Sequence, residues 1–350
     1  MTQELHRRIG FELELLAPRG SSRRTLADAL AERCRGQVRA IWHEDSEPSL
    51  VAALGGRFLH LTQGFEVTSA AGDPVCTLVD DVTIVADLDP TAAALDGWHR
   101  LLTDDPRLLR LLARHSDPGG PLETALDGAA AIWGVAPERH GSIGRLDSAG
   151  ATIALASPSG GERERPCEIV TPPLATGHRE ALEALLGPAR ALGFTVPQEA
   201  AVHIHVDGAP FRPAQALANV VRLFAHWREP MRQLLGTNPR CRRLAALPAH
   251  LVDAVSGDPS IDELRAAAKE GGLTKFFDVN LTQLLRDDPV RDTLEIRILP
   301  GSIDADEILG RAAMVERLLD RCREPEPFPT PPDDGQRALE LLHALAAAER

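Results

Sequence analysis

One short stretch constrains this chain more than any other: Ile9–Leu16, read IGFELELL. Phe11, Leu13 and Leu15 alternate with Glu12 and Glu14. A strand sends successive side chains to opposite faces, so the apolar residues share one face and both carboxylates the other. Two glutamates on one face repel, and desolvation makes this worse. They suit a wet surface or a place where a cation sits between them. Taken singly, a solvated strand face explains them well. Recurrence shifts the balance.

Three further stretches repeat the design. In AVHIHVD, Val202, Ile204 and Val206 oppose His203, His205 and Asp207. In TLEIRIL, Leu294, Ile296 and Ile298 oppose Glu295 and Arg297. In PCEIVTPPL, Glu168 opposes Cys167 and Ile169. The set predicts an α+β fold: a curved, mainly antiparallel sheet with helices on its apolar outer face and ionisable groups on the other. A flat wet face would favour Thr, Ser, Lys and Gln. Gathered carboxylates instead need positive charge, and hard oxygen ligands suit Mg²⁺ or Mn²⁺. Carboxylate-held Mg²⁺ usually also holds substrate phosphates, and the forked guanidinium of Arg297 suits a transferring phosphoryl group. No Gly-rich phosphate loop is present, and the SIG of HGSIGRLDSAG is too small to count as one.

Composition narrows the partners. The chain has 350 residues, 43% of them hydrophobic, enough for a sizeable core. Its formal charge of −13 argues against nucleic acid or an anionic membrane. Lysine occurs only at Lys269 and Lys275. The cysteines (Cys34, Cys76, Cys167, Cys241 and Cys322) form no CxxC pair, which fits a reducing cytosol. No apolar run reaches spanning length, and Ile9–Leu16 carries two glutamates where a secretory signal would need an apolar core. A cytoplasmic protein is expected.

The remaining elements read as follows. A turn at Pro18–Ser22 caps a helix over Arg23–Arg35. Strands are expected over Gly36–Trp42 and Arg57–Thr62, around an acidic loop at His43–Ser49. Pro74–Asp87 reads as a strand with Val79, Asp81 and Thr83 on one side. Leu88–Gly141, with GWHRLL and PRLLRLLARH, reads as a helical insertion broken at Asp117–Pro121. Ala151–Ala156 is a strand before the polar loop Ser157–Arg165. Helices are expected over His178–Leu192, Pro213–Leu235, Ile261–Glu270 and Asp304–Arg323. The Pro-rich linker Glu324–Asp334 leads to a terminal helix over Gln336–Arg350, docked on the body or on another subunit.

GFELEL, EIVTPPL, HIHVD, KFFDVNL and LEIRILPGS, in this order, together resemble the amidoligase family, relatives of glutamine synthetase and glutamate–cysteine ligase. The resemblance covers most of Ile9–Cys322 apart from the insertion, so residues 1–323 are expected to form one amidoligase domain of glutamine synthetase-like fold. It implies an ATP-dependent carboxylate–amine ligase that makes an amide through an acyl phosphate. It also implies that Glu12, Glu14, Glu168 and Glu295 hold Mg²⁺ or Mn²⁺ ions, with His203 or His205 on metal or the ATP phosphates. Arg297 would steady the γ-phosphoryl group, and Lys275 and Asn280 would belong to the nucleotide pocket. Asp81 and Thr83 resemble a second-strand Asp-x-Ser of the family. Arg240, Arg242 and Arg243 are candidate phosphate contacts, although such clusters are often plain surface. Asp207 serves equally well as the opening of a turn before Gly208.

The substrates implied are a carboxylate and an amine, as small metabolite, amino acid or peptide. Two rival readings stand beside this one. A zinc hydrolase would use His203 and His205 to activate water, but it needs a third ligand, for which His226 or His250 would have to leave helical or loop sequence. A binding protein that retained the fold would not need the intact set of carboxylates and arginine.

Overall fold

The computed structural model describes residues 5–44, 48–51 and 56–347. Residues 45–47, within the expected acidic loop, and 348–350, at the end of the expected terminal helix, lie outside that description. β1 (Ile9–Leu16) has the bounds read from the alternation. α1 (Arg23–Cys34) starts at Ser22 through a reciprocal capping box with Thr25, and stops where Arg35 turns left-handed at φ 52°. β2 (Gln37–Glu44), the short β3 (Ser49–Val51) and β4 (Gly56–Thr68) follow.

β5 (Pro74–Val79) is shorter than expected. Asp81 folds back instead of extending: its carboxylate accepts from Thr83 N at 2.8 Å and from Thr83 Oγ1 at 2.7 Å. This side-chain turn ends the strand, so the two-residue alternation through Asp81 and Thr83 is not realised. GWHRLL is also corrected. It supplies β6 (His99–Thr103), a strand pairing Leu101 with Leu61 of β4 and with Ala156 further on. Burial against both neighbours outweighs the helical propensity of its leucines. PRLLRLLARH is helical as read: α2 (Pro106–His115), capped by Asp105 with Pro106 at its first position. Then come α3 (Asp127–Trp133), β7 (Glu138–His140), β8 (Ile143–Ser148), β9 (Ala151–Pro158) and β10 (Pro166–Val170).

α4 (His178–Ala191) tolerates Pro188, and Gly193 follows its end at φ 79°. After β11 (Ala201–Asp207), the single helix expected over Pro213–Leu235 is two: α5 (Ala214–His226) and α6 (Arg228–Leu235), broken at Trp227. Next are α7 (Ala249–Ala254), α8 (Ile261–Glu270), β12 (Val279–Asn280), α9 (Thr282–Leu285), β13 (Thr293–Pro300), α10 (Ala305–Cys322) and α11 (Gly335–Ala347). Among the described residues, no helix is long and apolar enough to cross a membrane.

The chain forms an α+β protein of two compact units. The first holds Met1–Leu13, Thr171–Gly187 and Gln198–Arg350. In it the strands run in the order β12, β13, β11 and the start of β1, paired antiparallel. Ile9, Phe11, Val202, Ile204, Val206, Leu294, Ile296 and Ile298 are its buried apolar face. The second unit, Glu14–Val170 with Pro188–Pro197, orders β10, β5, β4, β6, β9, β8 and β7. Its interior includes Arg23, which is 1% exposed, donates to the carbonyls of Gln63 and Pro166, and lies over the Trp98 ring.

The Pro-rich linker is part of the first unit's fold. Asn219 of α5 is 0% exposed. Its Nδ2 donates to the carbonyls of Cys322 (3.2 Å) and Glu326 (2.9 Å), and its Oδ1 accepts from Phe328 N at 2.8 Å. Phe328 is buried edge-on to Trp227, whose Nε1 donates to Pro329 O at 2.6 Å. Asn219→Ala leaves these buried groups unpaired and should cost about 3 kcal/mol in denaturant unfolding. Proteolysis within 323–334 should accelerate in parallel; unchanged stability would show that Asn219 does not hold the linker.

Candidate functional site

The candidate site of the first unit is built on four adjacent strands. Glu12 of β1 stands opposite His203 of β11, and His205 stands opposite Glu295 of β13. Asn280 of β12 stands opposite Glu295 on its other side. Such cross-strand partners lie within about 5 Å at Cβ, so pairing alone brings the polar groups together. A register shift adjusts the last strand: Val202 faces Leu299 but Ile204 faces Ile296, so β13 carries one extra residue beside Arg297.

Glu12 is the centre of the contacts. His203 Nδ1 lies 2.9 Å from its Oε2 and His205 Nε2 lies 2.9 Å from its Oε1. Glu295 is held separately: Asn280 Nδ2 donates to its Oε2 at 2.7 Å, and the Arg297 guanidinium donates to its Oε1. His203 Nδ1 is also 3.8 Å from Glu295 Oε1. Both carboxylates are largely screened from solvent, with side chains 17% (Glu12) and 8% (Glu295) exposed.

Burial pushes the Glu12 carboxyl upward, but the hydrogen bonds and charge of His203 and His205 outweigh it and hold it well below the usual carboxylate range. Burial pulls the His205 imidazole down, and its bond to Glu12 reverses this, so its pKa is raised. Burial likewise opposes ionisation of Glu295, and Arg297 overcomes it, leaving the pKa lowered.

Glu12, His205 and Glu295 offer one ligand atom each within 4.8 Å of one another, two carboxylate oxygens and one imidazole nitrogen. This hard oxygen set with a single nitrogen fits Mg²⁺ or Mn²⁺. His203 and His205 each turn one ring nitrogen toward Glu12.

The other expected residues are placed by their own elements. Glu14, on the second-unit end of β1, is buried. Glu168 is half-buried on β10 of that unit, opposite Val79 of β5. Arg243 and Lys275 gather on Phe276, with 4.9 Å from the guanidinium carbon and 5.6 Å from Nζ to the ring centre. Arg240 and Arg242 are exposed. Asp207 opens a turn, its Oδ1 accepting from Ala209 N at 3.1 Å.

Sequence reasoning missed Asp278. It is 1% exposed and receives Arg228 Nε at 2.7 Å and Arg232 Nη1 at 3.0 Å, while its carbonyl accepts from Arg297 N at 3.1 Å. Burial keeps its carboxyl above the usual range despite the two arginines. The available signal was an acidic residue between Phe277 and Val279, in an otherwise apolar run.

A family model described as "Putative amidoligase enzyme" matches residues 5–318. The chain belongs to this family. No curated protein and no solved structure matches it. The motifs read in the amidoligase sequence, from GFELEL to LEIRILPGS, fall within the matched residues.

The Glu12–His205 pair gives the metal-free amidoligase a defined pH response. Glu12, lowered on folding, contributes stability above its ordinary pKa of 4.5 that is lost as pH falls through the folded value. His205, raised on folding, contributes stability below 6.5 that is lost as pH rises through its folded value. Glu12→Gln should therefore lower the metal-free melting temperature more at pH 5.5 than at pH 9. Equal losses at both pH values would mean that the pair carries no charge interaction.

Proposed function

We propose that this amidoligase is an ATP-dependent carboxylate–amine ligase of glutamine synthetase-like fold, working through an acyl phosphate. The observation that carries the reading is the convergence of Glu12, His205 and Glu295 from three strands, with Arg297 bonded to Glu295. Family membership supports ligation as the reaction class. In this reading Glu12, His205 and Glu295 hold Mg²⁺ or Mn²⁺. The bound cation would supply the charge that neutralises ATP phosphates.

A substrate carboxylate oxygen attacks the γ-phosphorus of ATP, the bond to the β–γ bridging oxygen breaks, and ADP leaves. The amine nitrogen then attacks the acyl carbon, the bond to the phosphate oxygen breaks, and inorganic phosphate leaves with one amine proton passing to solvent. Arg297 has the part best suited to a guanidinium. Five donors in a fixed fork let it hold Glu295 and an oxygen of the transferring group together. His203 holds Glu12 in place through its Nδ1. Arg243 and Lys275 add positive charge beside Phe276 and are assigned to the nucleotide phosphates.

The substrates proposed are a small-molecule, amino-acid or peptide carboxylate and an amine. Family membership, and not the histidine contacts, sets this reading above a zinc hydrolase.

The test is ADP release screened against paired pools of carboxylates and amines, with mass detection of a product lighter than the sum by one water. Glu295→Gln should lower turnover by roughly 100-fold or more, because it removes a ligand charge where even supporting residues matter 10- to 100-fold. Arg297→Lys should cost a similar factor, since an ammonium cannot make the fork. Turnover at the unmutated rate in both variants, or hydrolysis without ATP, would overturn the reading.

A further inference from the structure

We propose that Asn280 is a positioning residue: it fixes the Glu295 carboxylate in the orientation from which that carboxylate binds a divalent cation. The inference rests on the metal-bound reading above and goes beyond it, because the family resemblance implies a place for Asn280 in the nucleotide pocket.

The orientation of the Asn280 amide follows from its partners. One of its terminal atoms lies 3.0 Å from the backbone N of Thr282 and 2.6 Å from Thr282 Oγ1. A backbone N–H only donates, so that atom is the amide oxygen. The amide nitrogen is thereby turned to Glu295 Oε2, at 2.7 Å. Asn280 is buried, and β12 pairs it directly with Glu295. Its side chain is thus anchored at one end by Thr282 and engaged with Glu295 at the other.

The two donors on Glu295 do different work. Arg297 holds Oε1 and lowers the local negative potential, which by itself weakens attraction for a cation. Asn280 holds Oε2 with a neutral donor, so it orients the carboxylate without adding charge. A carboxylate fixed at both oxygens loses little rotational freedom on binding, and outer partners of this kind are worth 10- to 100-fold in metal affinity. An aspartate at the same place would set a second carboxylate against Glu295, whereas the amide does not.

Titration with Mn²⁺ alone, followed by calorimetry and by the spin-resonance signal of free ion, reads this directly. Asn280→Ala should weaken Mn²⁺ binding by about 10- to 100-fold when measured at a temperature where the metal-free variant is still folded. Thr282→Val removes the hydroxyl but keeps the backbone N–H, so it should weaken binding by less than about 10-fold. It keeps the idea testable if Asn280→Ala fails to fold. Mn²⁺ binding by the unmutated chain that is undiminished in Asn280→Ala, or in Thr282→Val where only that variant folds, overturns the role of Asn280 alone. No Mn²⁺ binding by the unmutated chain overturns the metal-bound reading as well.

Discussion

The carboxylate of Glu12 sits between two imidazoles, and the candidate site depends on that contact. A buried carboxylate beside a second one, Glu295, is unfavourable unless positive charge or donors surround it. His203 and His205 provide both for Glu12, and Arg297 and Asn280 provide them for Glu295. Neighbouring strands thus supply each carboxylate and most of the groups that make its burial tolerable. Breaking one pairing would leave a charge without its counterpart.

The backbone makes this possible with few means. Antiparallel pairing sets Glu12 against His203, and His205 against Glu295, on the face away from Ile204 and Ile296. The extra residue in β13 beside Arg297 is a local departure from regular pairing at the polar cluster. Behind it, Asp278 ties Arg228 and Arg232 to the segment leading into β12. Asn280, two residues later, is therefore delivered by a well-anchored chain.

Much of this was legible in the sequence because period-two patterning is local. β1, β11 and β13 follow their expected ranges to within a residue, and their apolar residues are buried as read. The failures have equally physical causes. Leucine-rich HRLL looked helical until β4 and β9 flanked it. Asp81 interrupted a strand through a bond to its own neighbour, Thr83, a choice that alternation does not encode. Trp227 broke a continuous helical pattern where its ring meets the linker at Phe328 and Pro329.

The sequence by itself determined which side chains carry ionisable groups and which strand face each occupies, because alternation in a strand is a property of the backbone. It did not determine who touches whom. That both histidines bond Glu12, that Asn280 bonds Glu295, and that the Asp278 carbonyl accepts from Arg297 were decided by strand order and register. Those depend on residues far apart in the chain, and only the folded structure brings them within hydrogen-bonding distance.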